Sequence, residues 1–230
     1  MDRKVWGKVF DRETLFALYS LHNKGIIEDI KGAVAEGKES RIFLATNGEQ
    51  LALKIYRVDA AAFERIWPYI RGDPRFWNVG KNRRAVIYRW VRKEFGNLKR
   101  MFNAGVSVPK PYAFSKNVLV MQFLGDGAPA PTLKEAGAQD EELFWRIVED
   151  VGKMYRIARL VHADLSEYNI VLWENRHYFI DAGQAVDLKH PGADSFLERD
   201  IKNLTRFFKL DVPLNEVIKL VKGERSGNDS

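Results

Sequence analysis

The chain has 230 residues, of which 46% are hydrophobic and 30% are charged, and it contains no cysteine. This composition excludes intrinsic disorder, disulfide bonds and thiolate zinc sites, and the length predicts one large domain or two small lobes. The formal net charge of +6 favours polyanionic partners. Because no apolar run reaches the roughly 18 residues that cross a bilayer, and no signal peptide is present, we expect a soluble, cytoplasmic protein with no membrane partner.

The first half of the chain is predicted to contain a helix, a hairpin of two strands, two more helices and a further strand. These elements cover residues 12–24, 41–46 with 49–56, 60–70, 83–103 and 118–123. Asp11 is a suitable N-cap for the first helix, and Gly25 ends it. The Asn47-Gly48 pair between two apolar runs is the sequence most typical of a hairpin turn.

The second half is richer in helical patterns. It is predicted to contain a linker, a helix, two short strands, two more helices and a frayed tail, over residues 125–131, 140–159, 169–173 with 177–181, 194–209, 213–222 and 225–230. A strand-rich half followed by a helix-rich half predicts an α+β fold of two lobes, with a cleft near the linker.

The stretch Gly32–Ser40 reads GAVAEGKES and is close to the phosphate-binding P-loop pattern G-x-x-x-x-G-K-[ST]. A P-loop leads into a helix, however, whereas Ser40 leads into a strand, and Glu39 stands where a Ser or Thr would meet Mg²⁺. We therefore interpret the stretch as a shortened kinase loop between two strands. Gly37 would allow close approach of the backbone to phosphate, and the nucleotide-binding residues predicted here are Gly37, Lys38, Glu39 and Ser40.

The two strands of the second half carry polar residues at one end. A turn over residues 174–177 would place Ile170 opposite Asp181, so that Asn169 and Asp181 meet at the open end of the hairpin. An amide oxygen and a carboxylate suit a hard, oxygen-seeking ion, and the sequence therefore predicts Asn169 and Asp181 as ligands of Mg²⁺.

The loop before this hairpin matches the H-x-D-x-x-x-x-N catalytic loop of kinases in the string His162-Ala-Asp164-Leu-Ser-Glu-Tyr-Asn169. In that template Asp164 orients the attacking hydroxyl group and accepts its proton. An Asp before a strand is often only a turn former, so the interpretation depends on the whole combination with Asp-x-Gly at the far end of the hairpin.

A kinase also needs a lysine that contacts the phosphates. Leu51-Ala-Leu-Lys54 parallels the V-A-I-K pattern, and on a strand Ala52 and Lys54 share one face, so that Ala52 can lie against adenine while Lys54 reaches the phosphates. Glu94 lies on an otherwise apolar helix face and is the expected partner of Lys54, with Glu64 as the alternative. A solvated edge lysine is the plain alternative for Lys54.

With these residues in place, the sequence resembles RIO-type atypical protein serine kinases from about Thr14 to Phe208. The matching strings are EGKES at 36–40, LKIYR at 53–57, GDPRF at 72–76, KEFGNLK at 93–99, VPKP at 108–111, LVHADLSEYNI at 160–170 and IDAGQAV at 180–186. Few residues precede the glycine loop, so the chain resembles the subfamily that lacks an N-terminal winged helix.

The resemblance implies a two-lobed protein-kinase-like fold, with a small β-rich N-lobe and a reduced helical C-lobe. The implied divisions are an N-terminal helical extension over 1–30, the N-lobe over 31–124 and a C-lobe over 125–230 that lacks the activation segment and the peptide-docking subdomains. The implied cofactors are ATP and Mg²⁺, with Mn²⁺ as an alternative ion. The implied hinge, whose backbone reads adenine, is Met121, Gln122, Phe123 and Leu124, although relatives often carry Glu in place of Gln122.

The resemblance further implies that the kinase autophosphorylates and also has ATPase activity, in which Asp181 accepts phosphate transiently. It implies that the chain acts as an ATPase switch in maturation of the small ribosomal subunit. Expected partners are the precursor of that subunit and its rRNA, and the basic segment 71–100, with Phe76, Trp77, Tyr88 and Trp90 among its ten Lys and Arg residues, is typical of RNA binding. A solvated basic helix face is the alternative for this segment. The alternative functions are a small-molecule phosphotransferase and a nucleotide-binding assembly scaffold. The physiological substrate, the autophosphorylation site and the oligomeric state stay open.

Overall fold

The computed structural model describes residues 10–70, 74–76, 82–137 and 140–224. They divide into two compact units, the first made of the described residues up to Gly96 with Lys110–Pro129, and the second of Asn97–Pro109 with the described residues from Ala130 onward. The domain boundaries predicted from the sequence stay predictions. The predicted tail 225–230 and residues 1–9 of the predicted N-terminal extension lie outside the described residues.

The first unit contains a five-stranded antiparallel sheet, three helices and a small hairpin. Its elements are α1 (Arg12–Asn23), β1 (Asp29–Glu36), β2 (Ser40–Asn47), β3 (Glu49–Tyr56), α2 (Ala60–Ile70), a 3₁₀ turn (Pro74–Phe76), the first part of α3 (Arg83–Asn103), β4 (Pro111–Ser115), β5 (Val118–Gln122), β6 (Gly125–Asp126) and β7 (Ala128–Pro129). The strand order in the sheet is β1-β2-β3-β5-β4. The predicted linker at 125–131 thus contains a short hairpin.

Strand β3 is the centre of this sheet, and that position explains its sequence. Residues Leu51, Leu53 and Ile55 join the core with Ala17, Leu18 and Leu21 of α1. The opposite face of β3 is buried as well, since Ala52 and Lys54 are each about 5% exposed or less. A lysine in the middle of a central strand needs a specific partner, because a buried cation without one is costly.

The turns and caps of the first unit follow from local residues. Asp11 caps α1 by accepting a hydrogen bond from the Thr14 N–H at 2.8 Å, as expected from the sequence. Gly48, at φ +70°, closes the β2–β3 hairpin in a left-handed conformation that glycine adopts readily. Strand β4 was not predicted, because five residues around a proline carry too little periodicity.

The second unit is mostly helical and contains two small antiparallel pairs of strands. Its elements are the last part of α3, α4 (Leu133–Ala136), α5 (Glu141–Arg156), β8 (Leu160–Val161), β9 (Ile170–Trp173), β10 (Arg176–Phe179), β11 (Val186–Asp187), α6 (Ala193–Phe208) and α7 (Leu214–Lys222). Phe144 of α5 packs edge-on against Phe208 of α6 in its core. Among the described helices of the chain, none is long and apolar enough to cross a membrane.

The register predicted for the β9–β10 hairpin is wrong by two residues. Ile170 pairs with Phe179 and not with Asp181, and Trp173 pairs with Arg176. The reason is the turn, which has only two residues, Glu174 and Asn175, with φ of +48° and +60°. Two positive φ values are typical of the type I′ turn, whose twist matches that of the strands. Asn169 consequently lies opposite Ile180, whose N–H donates to the Asn169 carbonyl at 3.0 Å.

Candidate active site

The first unit holds a buried ion pair between Lys54 and Glu94. Lys54 Nζ lies 2.8 Å from Glu94 Oε1, and the two side chains are 7% and 1% exposed. Tyr56, two residues further along β3 on the same face, donates its hydroxyl hydrogen bond to the other carboxylate oxygen of Glu94. Both oxygens of the carboxylate are therefore satisfied by residues of one strand face, which fixes the lysine in place.

Helix α3 presents Glu94 to the sheet because of its apolar periodicity. Ile87, Val91 and Leu98, spaced at helical intervals around Glu94, are all buried. The predicted partnership of Lys54 with Glu94 is confirmed. Glu64, the alternative, is exposed on α2.

The loop between β1 and β2 forms the strand-turn-strand arrangement expected from the sequence. The Gly37 N–H donates to the Ser40 carbonyl at 2.8 Å, and the Arg57 N–H donates to the Glu39 carbonyl at 2.9 Å. Lys38 at the tip is exposed. A Cβ atom at Gly37 would meet the Ser40 carbonyl oxygen at an ordinary 3.4 Å, so the fold itself does not require glycine at this position.

The segment Met121–Leu124, predicted as the hinge, begins at the end of β5 beside β3. Met121 pairs with Ala52, so the structure brings the two predicted adenine neighbours together. The Gln122 N–H donates to the Lys110 carbonyl at 2.8 Å, and the Gln122 side-chain oxygen accepts from the Lys110 N–H at 3.3 Å. The Phe123 N–H donates to the Gln50 carbonyl at 3.3 Å, so the adenine contacts predicted for the backbone of this segment stay predictions.

The second unit brings Asp164, Asn169 and Asp181 together. Asn169 Nδ2 donates to the Asp164 carbonyl at 2.7 Å and to Asp164 Oδ2 at 3.1 Å. Burial, and then the negative charge of Asp181, raise the pKa of Asp164 above its ordinary value, against the opposing effect of the Asn169 hydrogen bond. A half-buried carboxylate with a raised pKa is suited to accept a proton from a hydroxyl group.

Asp181 lies in the loop after β10, whose backbone is held by two buried side chains. His162 Nε2 is 3.0 Å from the Ile180 carbonyl, so a His162 tautomer protonated at Nε2 would donate to it. Asn97, in the part of α3 that belongs to the second unit, donates to the carbonyls of Ala182 and Ala185 at 2.8 and 3.1 Å. Asp181 itself is exposed, and its backbone is left-handed at φ +60°.

Asp200 of α6 binds the backbone of the loop that carries Asp164, the predicted catalytic loop. The buried carboxylate of Asp200 accepts hydrogen bonds from the backbone N–H groups of Ala163 and Leu165 at 2.8 and 3.0 Å. These two residues flank Asp164, and Ala163 has the left-handed φ of +64°. Arg199 donates to the Ala163 carbonyl. A strained backbone of this kind persists only when its surroundings over-determine it.

The oxygen donors of this unit fit a magnesium ion. Asn169 uses its amide nitrogen on Asp164, which leaves its amide oxygen for a ligand, and Asp181 offers an exposed carboxylate. Mg²⁺ is usually held by one or two protein oxygens, with water and substrate phosphates completing the shell. The described residues contain no cluster of three or more His, Cys, Asp or Glu side chains arranged for a metal, which fits this sparse kind of site and not a closed protein cage.

The sequence interpretation missed Tyr56, Asn97 and Asp200 as contributors to the site. Tyr56 had a signal, because it follows Lys54 by two residues on a strand and therefore shares its face. Asp200 had none, because it lies far along the chain from the catalytic loop and its helix shows only ordinary amphipathic periodicity.

The structure describes only part of the basic segment 71–100, and some of the described residues are buried. Its residues Arg71, Asp73, Trp77 and Lys81 lie outside the described residues. Trp90 and Phe76 are buried, so neither ring is available there for stacking on bases. Lys93 is buried as well, with its Nζ 4.8 Å above the Trp90 ring. Arg83, Arg84, Arg89 and Arg92 are exposed on this part of α3, and Arg84 is paired with Asp11.

Comparison with known proteins gives a consistent result. The family model described as RIO domain matches residues 41–218. The chain is 42% identical over 209 residues to the RIO-type serine/threonine-protein kinase Rio1 of Haloferax volcanii, covering 90% of this chain and 72% of the relative. It is 39% identical over 229 residues to the protein of the same name from Methanocaldococcus jannaschii, covering 97% and 79%.

A solved structure supports the fold. The Rio2 kinase–ADP/Mg²⁺–phosphoaspartate complex from Chaetomium thermophilum matches with a TM-score of 0.70 over 94% of this chain and 67% of that one, at 22% identity. The α+β, protein-kinase-like fold predicted from the sequence is thereby confirmed.

Proposed function

The chain belongs to the RIO domain family and is an atypical serine/threonine protein kinase, and we propose that it transfers the γ-phosphate of magnesium-bound ATP to serine, on itself at least. The observation that carries this proposal is the geometry of Asp164, whose carboxylate is held by Asn169 and has a raised pKa beside Asp181. That is the arrangement expected of the residue that orients a hydroxyl group and accepts its proton.

Each unit would supply a different part of the machinery. In the first unit, Lys54, fixed by Glu94, would contact the α- and β-phosphates, while the loop Gly37–Ser40 would contact phosphate through its backbone. In the second unit, Asn169 and Asp181 would hold Mg²⁺. The ion, when bound, neutralises charge on the β- and γ-phosphates. His162 and Asn97 would hold the backbone on either side of Asp181 in place.

The proposal includes a hydrolytic cycle, in which ATP is cleaved through transient phosphorylation of Asp181. Asp181 is exposed, so that its carboxylate is accessible from solvent, which supports a role as transient phosphate acceptor. The Chaetomium thermophilum relative in fold is described as a phosphoaspartate complex, which lends support by analogy. In that cycle the Asp181 carboxylate oxygen would form a bond to the γ-phosphorus as the bond to ADP breaks, and water would later release phosphate.

The kinase and ATPase activities can be separated in one experiment. The protein is incubated with γ-labelled ATP and Mg²⁺, with and without small ribosomal subunit particles. Label on serine, hydroxylamine-labile label that reports an aspartyl phosphate, and free phosphate are counted separately. Label on protein serine supports the kinase, and free phosphate that increases with the particles supports the switch. If wild type produces neither product, the proposed function is refuted.

Action on the small ribosomal subunit is proposed from the family resemblance, with its precursor and rRNA as partners. Exposed Arg83, Arg89 and Arg92 would contribute phosphate contacts, whereas the rings of Phe76 and Trp90 are buried. Affinity for subunit rRNA should then fall steeply as salt concentration rises, because phosphate contacts release counterions. An affinity independent of salt would contradict these contacts.

A further inference from the structure

Arg65, on helix α2, makes the one side-chain hydrogen bond to the backbone of the β1–β2 turn that the structure describes. Its Nη2 donates to the carbonyl oxygen of Lys38 at 2.7 Å. The Arg65 side chain is half-buried, and its Nε is shielded from solvent without a hydrogen-bond partner. The sequence interpretation gave this arginine no role.

The bond matters because of which part of the turn it holds. The ends of the turn are closed by backbone bonds, from Gly37 to Ser40 and from Arg57 to Glu39. Lys38, at the tip, is exposed, and Arg65 holds the carbonyl group of its peptide. A hydrogen bond from a charged donor is stronger than a neutral one, so a single guanidinium can fix this peptide plane.

The orientation of that plane has a chemical consequence. A trans peptide is planar, and its C=O and the following N–H point in opposite directions. The chain contains no cis peptide bond among its described residues. When Arg65 holds the Lys38 carbonyl on one side of the turn, the Glu39 N–H is therefore directed to the other side. Backbone N–H groups presented by a short loop are typical phosphate donors.

We propose that Arg65 is a positioning residue that pre-organises the Gly37–Ser40 loop for the phosphates of ATP. This inference rests on the proposed function, since it assigns a residue that tunes the same nucleotide site. The hydrogen bond from Arg65 on α2 restrains the Lys38 carbonyl in the middle of this loop, in addition to the backbone bonds at its two ends. Arg65 acts through the loop and does not itself contact the reacting atoms.

The test is nucleotide affinity measured on the full chain, with ATP and with adenosine as separate probes. Arg65→Ala should weaken magnesium-ATP binding roughly 10-fold, the loss expected from one charge-assisted hydrogen bond. Adenosine affinity and the melting temperature should stay the same, because the phosphate loop does not read the base. Arg65→Lys, which keeps a donor, should recover part of the ATP affinity. Glu64→Ala, at the neighbouring exposed position of α2, is the matched control and should bind like wild type.

The possible results separate a failure of the role of Arg65 from a failure of the proposed function. If wild type binds ATP and Arg65→Ala binds it equally well, the role of Arg65 is refuted while the proposed function stands. If ATP and adenosine affinities fall together, or the melting temperature of both Arg65 variants drops, Arg65 is a structural residue and the proposal is wrong. If wild type itself fails to bind ATP, the proposed function is refuted, and the role of Arg65 with it.

Discussion

Glu94 is a buried carboxylate on an apolar helix face, and it is stable there because two donors from β3 meet it. Lys54 and Tyr56 each take one carboxylate oxygen. Burying such a pair gives little net stability, because desolvation offsets most of the attraction between the charges. Removing one partner is different, since it leaves the other charge buried without compensation.

Replacing Glu94 by glutamine should therefore destabilise the protein strongly. We expect a loss of about 3–5 kcal/mol in the free energy of unfolding, measured by urea denaturation, because Lys54 would be left as an uncompensated buried cation. Glu64→Gln changes an exposed carboxylate on the neighbouring helix α2 and should alter stability by less than about 0.5 kcal/mol. Equal stability of the two variants would show that Lys54 and Glu94 are not paired in solution.

Asp200 binds the backbone of the loop that carries Asp164, and two opposing effects act on the pKa of its carboxyl group. Burial disfavours the charged carboxylate and raises its pKa to about 7, although the hydrogen bonds from Leu165 and Ala163 lower it. In the unfolded chain the same group has a pKa near its ordinary value of about 4. Between these two pH values the folded state holds a proton that the unfolded state has lost.

This difference predicts the sign of a pH effect on stability. The contribution of Asp200 is fully present below about pH 4 and is lost as the pH rises through about 7, with a slope of about 1.4 kcal/mol per pH unit within that window. Asp200→Asn cannot titrate, so the stability difference between wild type and variant should change with this slope. Urea denaturation of both proteins from pH 4.5 to 8 measures it. A difference that is constant across the range would contradict the raised pKa of Asp200.

At the level of elements, the β9–β10 hairpin shows how a turn sets the register of a site. The polar run at 174–177 predicts a four-residue turn, whereas the turn in the structure has only two residues, Glu174 and Asn175. The shift moves Asp181 out of the strand pairing and into the following loop. Asn169 and Asp181, the predicted metal ligands, still lie at the same end of the hairpin, because Asn169 faces Ile180 there.

Asn175 offers a direct test of this turn. Its φ of +60° is strained for a side-chain-bearing residue, although asparagine tolerates it better than most. Asn175→Gly should raise the free energy of unfolding by about 0.5–1 kcal/mol, because the second position of a type I′ turn favours glycine. Thermal unfolding measures the gain, and Asn175→Val should lower the melting temperature. The opposite order of these two variants would rule out the two-residue turn.

For the whole molecule, the long and periodic elements could be predicted from the sequence and the short ones could not. Helix α3 was predicted over 83–103 and occupies Arg83–Asn103, because 21 residues of amphipathic pattern leave little ambiguity. Strands of two residues, such as β8 and β11, are defined only by the partner they pair with. Such pairings depend on tertiary contacts, and no local pattern reports them.

The same division holds for the candidate site. Lys54, Asp164, Asn169 and Asp181 could be proposed from the sequence because each lies in a short local pattern. Their supports could not, since Asp200, Asn97 and Arg65 reach their partners across long stretches of sequence. Motif residues carry the chemistry, and the residues that position them are visible only once the chain is folded.

The decisive measurement is the rate of phosphoryl transfer from γ-labelled magnesium-ATP by wild type and by Asp164→Asn. Asparagine keeps the size and the hydrogen bond to Asn169 but cannot accept a proton. We expect total turnover, as labelled protein plus free phosphate, to fall by about 10²–10⁴-fold. ATP affinity and melting temperature, measured on the same preparations, should stay close to wild type. Turnover by Asp164→Asn that equals wild type would contradict the assignment of this residue as the catalytic base.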